Sequence, residues 1–172
     1  EPDELERYQK LILPGVGAFD ETMRMLGESG FQESIAKCVL LKQVPILGIC
    51  VGMQVMSKGS EEGELPGFGW IDTRVSRLPT GHIGKPKLPH MGWNSLIEED
   101  YLAVLDGIDR KQGFYFLHSY AMAESTDADY AFSHYGERFV CAFQKGNIYG
   151  VQFHPEKSHL NGGLIFKNFS KI

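Results

Sequence analysis

Val44-Pro45-Ile46-Leu47-Gly48-Ile49-Cys50-Val51-Gly52-Met53-Gln54 is the stretch on which the fold turns. Residues 44–49 are almost continuously apolar, the pattern of a strand buried on both faces of a parallel sheet. The run passes straight into Gly-x-Cys-x-Gly, and Met53, Gln54, Val55 and Met56 then read as helix. A strand that turns sharply into a helix at such a residue is a nucleophile elbow in its cysteine form. Glycines flank Cys50 because a Cβ there would collide with neighbouring strands. The turn strains the backbone at Cys50 and sets its sulfur at a helix N-terminus, where the dipole and free N–H groups favour thiolate. The N–H of Val51 is directed to where an oxyanion would form. Taken alone, the motif describes a buried structural cysteine equally well. Cys38 and Cys141 lack flanking glycines and read as structural.

Upstream, Lys10 to Leu13 is a short strand-like run ending at the breaker cluster Pro14-Gly15-Val16-Gly17. Asp20 to Leu26 reads as helix, with Phe19, Met23 and Leu26 at spacings of four and three, and Phe31 to Lys42 as a second. Downstream, strands are expected at Gly69 to Leu78, Lys87 to Leu96, Phe114 to Met122, Tyr130 to Ser133, Phe139 to Gln144 and Ile148 to Phe153. Leu164 to Phe169 reads as a terminal helix. Segments 57–68 and 79–88 read as surface loops. Alternating β and α followed by a run of strands implies an α/β fold. Its expected form is three layers: a mostly parallel central sheet flanked by helices, with an antiparallel β extension.

The chain has 172 residues, which suits one domain. A net charge of −5 argues against nucleic acid or an anionic membrane as the main partner. No apolar run reaches the roughly 18 residues of a membrane span. The start is acidic and turns into a strand, so no signal peptide is expected. Three cysteines without CxxC spacing argue against a disulfide framework or a structural zinc site, and a reducing cytoplasm is the default. His90, His118 and His134 have no ligand-like spacing, and no metal is expected.

Gly150-Val151-Gln152-Phe153-His154-Pro155-Glu156 is the second informative stretch. A strand ends at His154, Pro155 fixes the backbone after it, and Glu156 follows. A histidine can take a thiol proton and later protonate a leaving amine. A carboxylate behind it selects the imidazole tautomer and stabilises the imidazolium. Cys50 and His154 would both lie at carboxyl ends of strands, the edge where α/β sites form. Alone, His154 is also compatible with a satisfied strand-end histidine.

Gly48-Ile49-Cys50-Val51-Gly52-Met53-Gln54 and Phe153-His154-Pro155-Glu156 together resemble the two motifs of the class I (triad-type) glutamine amidotransferases, a flavodoxin-like α/β family. Pro14-Gly15-Val16-Gly17, Pro89-His90-Met91-Gly92-Trp93-Asn94, Tyr115 to Tyr120 and His154 to Ser158 are similar to the glutaminase subunits of imidazole glycerol phosphate synthases. The resemblance runs from about Lys10 to Phe169. That family has a strand–helix–strand segment before the PGVG strand, whereas here only Glu1 to Gln9 precede it. The resemblance therefore implies one amidotransferase domain over 1–172 lacking that first segment, with an apolar strand edge exposed.

The resemblance implies hydrolysis of L-glutamine to glutamate and ammonia, with no cofactor. Carried over by position, Cys50 is the nucleophile, His154 the acid/base and Glu156 its orienter. Backbone of Gly15, Val16 and Val51 would form the oxyanion hole, and Gly52, Gln54, Ser119 and Tyr120 would bind the substrate. Ammonia would pass to a (βα)₈-barrel synthase in the histidine pathway, with Trp93 and Asn94 on the docking face. The glycine after Val16 makes a peptide rotation cheap, a route to an oxyanion N–H that turns in on activation. Two other readings keep the chemistry. One is a paralogue supplying ammonia for an amidine on a cell-surface sugar; Tyr135 to Val140 and Ser158-His159 resemble that branch. The other is a stand-alone γ-glutamyl hydrolase.

Overall fold

The structure is a computed structural model, and it describes residues 1–79 and 86–172. A six-stranded sheet forms the centre. In chain order its members are β1 (Leu11–Gly15), β2 (Ile46–Cys50), β5 (Glu98–Glu99), β8 (Asp129–His134), β9 (Arg138–Lys145) and β10 (Ile148–Val151). Their spatial order is β1-β2-β10-β9-β8-β5. β1, β2 and β10 run parallel, and β9, β8 and β5 continue antiparallel. The parallel part is thus three strands, and the antiparallel extension contributes as many. Among the described residues β1 pairs with β2 alone and stands at the edge of the sheet.

β2 lies between β1 and β10, and every residue of it is buried. That is why its sequence is apolar at consecutive rather than alternate positions. Each large side chain so buried contributes roughly 1.5–3 kcal/mol. Helix α1 (Phe19–Glu28) turns Phe19 and Met23 into the core. Its first N–H groups face Glu62, whose carboxylate accepts from Phe19 N at 2.9 Å. Helix α2 (Phe31–Ala36) ends in a π-type turn over Lys37–Leu41, where Lys42 N bonds to Lys37 O. Helix α3 (Val51–Gln54) is a single turn packed against β1, β2 and β10. Helix α4 (His159–Lys171) closes the chain, with Phe169 against Tyr149 of β10.

Two small antiparallel sheets stand apart: β3 (Val75–Arg77) with β7 (Tyr120–Met122), and β4 (His90–Asn94) with β6 (Phe114–His118). The sequence suggested one strand over Phe114 to Met122. It breaks at Ser119, because its two halves bond to different partners. Gly69 to Leu78 also shortens, to three residues, since Gly69 takes a φ of +68° and Phe68 and Trp70 stack on each other. Segment 57–68 is irregular as expected, although Ser57 and Ser60 within it are buried. Of the expected loop 79–88, residues 80–85 lie outside the described part. No described helix is long and apolar enough to cross a membrane.

Candidate active site

β1 and β2 end together, with Gly15 opposite Cys50 in the parallel register. The chain turns into α3 at Cys50, whose φ is +56° and ψ −114°. This is the sharp elbow expected from Gly-x-Cys-x-Gly. Gly52 lets it close against β1: a Cβ there would meet the Leu13 carbonyl oxygen at 1.8 Å.

β10 ends beside β2, and the chain continues to His154. Its backbone is clamped to β6. His154 N donates to Tyr115 O at 2.8 Å, Tyr115 N donates to Ser158 Oγ at 3.0 Å, and Ser158 Oγ donates to His154 O at 2.6 Å. His154 Nδ1 lies 2.8 Å from Glu156 Oε1. A carboxylate accepts, so Nδ1 carries the proton and Nε2 is free to act as base.

Cys50 and His154 line one cavity of about 280 Å³, together with Val16, Val51, Gln54, Ser119 and Tyr120. That is room for a ligand smaller than a drug molecule. Gly15 and Gly52 lie behind the wall, and Glu156 stands behind His154 with its carboxylate half-exposed. Gln54 is buried, and its Nε2 donates to Tyr120 O and to Gln152 Oε1, both at 3.0 Å. The Cys50 thiol faces Leu117 O at 3.8 Å and accepts from Gln152 Nε2 at 3.7 Å.

The electrostatics correct one expectation. Burial pushes the Cys50 thiol up to about 11, against the opposing pull of the Val51 N–H and the Gln152 amide; Glu156 and Glu62 add to the rise. A four-residue helix offers little dipole, so desolvation wins in the open site. The open site therefore favours the thiol over the thiolate.

Residues 2–172 match the family model for class-I glutamine amidotransferases. The chain belongs to this family. As an amidotransferase it is 46% identical to the imidazole glycerol phosphate synthase subunit HisH of Bdellovibrio bacteriovorus, over 99% of this chain and 84% of that one. It is 42% identical to subunit HisH 2 of Pseudomonas aeruginosa and to HisH of Leptospira interrogans, each covered to 84%. Among solved structures, a glutamine amidotransferase from Thermotoga maritima superposes with a TM-score of 0.63 at 18% identity, over 97% of this chain and 64% of that one. Another glutamine amidotransferase gives 0.66 at 16%, over 99% and 82%. At such identities the likeness carries the fold, and the fold is that of the amidotransferases.

On the far side of the cavity wall, alternation along β4 sends Met91 and Trp93 outward and His90 inward. Trp93 is 45% exposed and stacks on His159 at 5.2 Å. Asn94 is bound inward: its Nδ2 donates to His134 O at 2.9 Å and its Oδ1 accepts from Ser95 N at 2.8 Å. The histidines have no ligand spacing in sequence, yet strand pairing sets His90 opposite His118. No cluster of three or more potential ligands among the described residues could hold a metal. Sequence reasoning missed Gln152. It lies two residues before His154, a spacing that puts both on one face of an extended chain, and that spacing was the available signal.

Proposed function

We propose that the chain is the glutaminase subunit of an imidazole glycerol phosphate synthase, with Cys50, His154 and Glu156 as its catalytic triad. The observation that carries this reading is the shared cavity: the elbow cysteine and the Glu156-oriented His154 both open onto it, beside Gln54, Ser119 and Tyr120. His154 takes the thiol proton, and the thiolate adds to the side-chain amide carbon of glutamine. The oxygen that gains charge is met by the N–H of Val51 and by the Gly15-Val16 segment. His154 returns the proton to the departing nitrogen, and water then hydrolyses the γ-glutamyl thioester. Glu156 keeps the imidazole in the tautomer that this exchange needs. Gly17, at φ +111°, sits at the cavity rim next to Val16, where a peptide rotation would present or withdraw an oxyanion donor.

Ammonia goes to a (βα)₈-barrel synthase partner that docks on the outer face of β4. Met91 and Trp93 are its exposed apolar anchors, 64% and 45% accessible. A cytoplasmic setting goes with this reading and with three free, buried thiols.

The test is glutamate release from glutamine, alone and with the candidate cyclase carrying its nucleotide-like ligand. Slow basal turnover that rises sharply with the partner supports the assignment, and Cys50→Ala abolishes it. Fast turnover without any partner would make the chain a stand-alone hydrolase. Activation only by a polysaccharide-pathway barrel would move it to that branch.

A further inference from the structure

His90 and His118 form a buried pair that the triad chemistry does not use. Their hydrogen bonds admit one assignment. His118 Nδ1 lies 2.8 Å from Tyr120 O. A carbonyl only accepts, so Nδ1 carries the proton and Nε2 of the neutral ring is an acceptor. That Nε2 lies 3.0 Å from His90 Nδ1, which therefore donates. His90 Nε2 is left to accept from Asn94 Nδ2 at 3.2 Å. Asn94 is itself fixed, because Nδ2 also donates to His134 O and Oδ1 accepts from Ser95 N. One extra proton on either ring would leave two N–H donors facing each other. Burial depresses both histidines, His90 to about 4 and His118 to about 3, so both rings are neutral at neutral pH. Ring stacking of His90 on Tyr135 at 4.0 Å and on Phe116 at 4.8 Å holds its rotamer.

The chain of contacts continues into the active site. Tyr120 O accepts a second bond, from Gln54 Nε2. The other Gln54 proton goes to Gln152 Oε1, which settles the amide orientation of Gln152 and aims its Nε2 at Cys50 Sγ. From His90 to Cys50 every bond is buried or partly buried, and such networks are strong only when all members are satisfied.

We propose that His90 and His118 are positioning residues for the glutamine site: they set the Tyr120 carbonyl, and through it the Gln54 amide and the N–H that Gln152 offers to the sulfur. This rests on the reading of Cys50 as the nucleophile. It makes β4 more than a docking strand, since its inner face begins a path that ends at the thiol.

The test compares His90→Phe, which keeps a ring but loses the donor, with His90→Asn, which restores a donor near Nδ1. Glutamine kinetics are read on the complex with the cyclase. Alkylation of Cys50 by iodoacetamide is read against pH on the chain itself, by mass spectrometry of the Cys50 peptide. His90→Phe is expected to raise KM for glutamine about fivefold or more while kcat changes less than about twofold. It should also move the alkylation midpoint upward, and His90→Asn should return both toward wild type. Unchanged KM and midpoint in His90→Phe would overturn the proposal, as would equal effects of the two variants, which would mean packing alone. A third measurement needs no variant: nitrogen-15 shifts of both imidazoles before and after Cys50 alkylation. Movement at both rings supports the relay, and silence at both overturns it. A wild-type chain that releases no glutamate with any partner would sink the functional assignment, while the alkylation and nitrogen shifts would still judge the relay.

Discussion

At Cys50 the backbone occupies φ +56° and ψ −114°, a region that L side chains rarely enter. Holding it there costs of order 1–3 kcal/mol. A Cys50→Gly variant should therefore be more stable than Cys50→Ala by about 1 kcal/mol, seen as a melting temperature some 2–4 °C higher. Equal melting temperatures would mean that the elbow carries no strain. The thiol makes a second statement at this scale. Its native value of about 11 lies above the ordinary 9.0. Between those values the unfolded chain has lost its proton and the folded chain has kept it, so this group's contribution to stability fades as pH rises from about 9 to 11. Alkylation of Cys50 in the open site should be slow at neutral pH, and Gln152→Leu, which removes a donor to the sulfur, should slow it further. Faster alkylation in that variant would contradict the role given to Gln152. The elbow at Cys50 was legible from its flanking glycines. The proton affinity of the thiol was not, because burial of the sulfur is decided by Leu117 and Gln152, 67 and 102 positions away.

Among the elements, α4 bears most directly on the turn that carries His154 and Glu156. Gly162 sits in its first turns, and a Cβ there would meet Pro155 O at 1.8 Å. Glycine to alanine inside a helix normally stabilises by about 1 kcal/mol. Here the sign should reverse. Gly162→Ala must push α4 off the turn that carries His154 and Glu156, lowering both melting temperature and glutamine turnover. Higher stability with unchanged turnover would show that the turn yields at no cost. The elements themselves were unevenly legible. β2 was plain because burial on both faces leaves a continuous apolar run. The helix over Phe19–Glu28 was plain because Phe19 and Met23 recur at helical spacing. The break at Ser119 left no local trace, since Phe114 to Met122 is uniformly strand-like and only the choice of partner strand divides it. The hydrogen bonds of Asn94 and His90 left no local trace for the same reason: their partners come from β8 and β6.

Taken whole, the molecule holds two neutral, largely buried histidines, one of them, His118, in the cavity wall. Both have native values below the ordinary 6.5, about 4 for His90 and about 3 for His118. The unfolded chain takes up protons first as pH falls, so the stability that depends on these rings is complete above about 6.5 and is lost progressively toward 4 and 3. Melting temperature should fall across that window, and His90→Phe should flatten the fall. A wild-type curve that stays level from pH 7 to 4 would argue that the rings are not buried as described. The parallel core and both motif-bearing turns were readable from sequence, because each is written in a local pattern. The connection between the β4 face and the thiol was not, being assembled from four stretches of chain, around His90, residues 118–120, residues 50–54 and Gln152.

One property of that connection limits the chemistry. Its hydrogen bonds do not run in a single direction: His118 and Gln54 both point their protons at the Tyr120 carbonyl. An oxygen that only accepts is a terminus, so no hopping of protons can cross it in either sense. The interior therefore does not feed the sulfur or drain it, and every proton consumed when ammonia departs has to come from the cavity side, which His154 lines. Glutamine hydrolysis in mixtures of light and heavy water should accordingly show a rate linear in deuterium content, the mark of a single proton in flight. A bowed dependence would reveal a second donor.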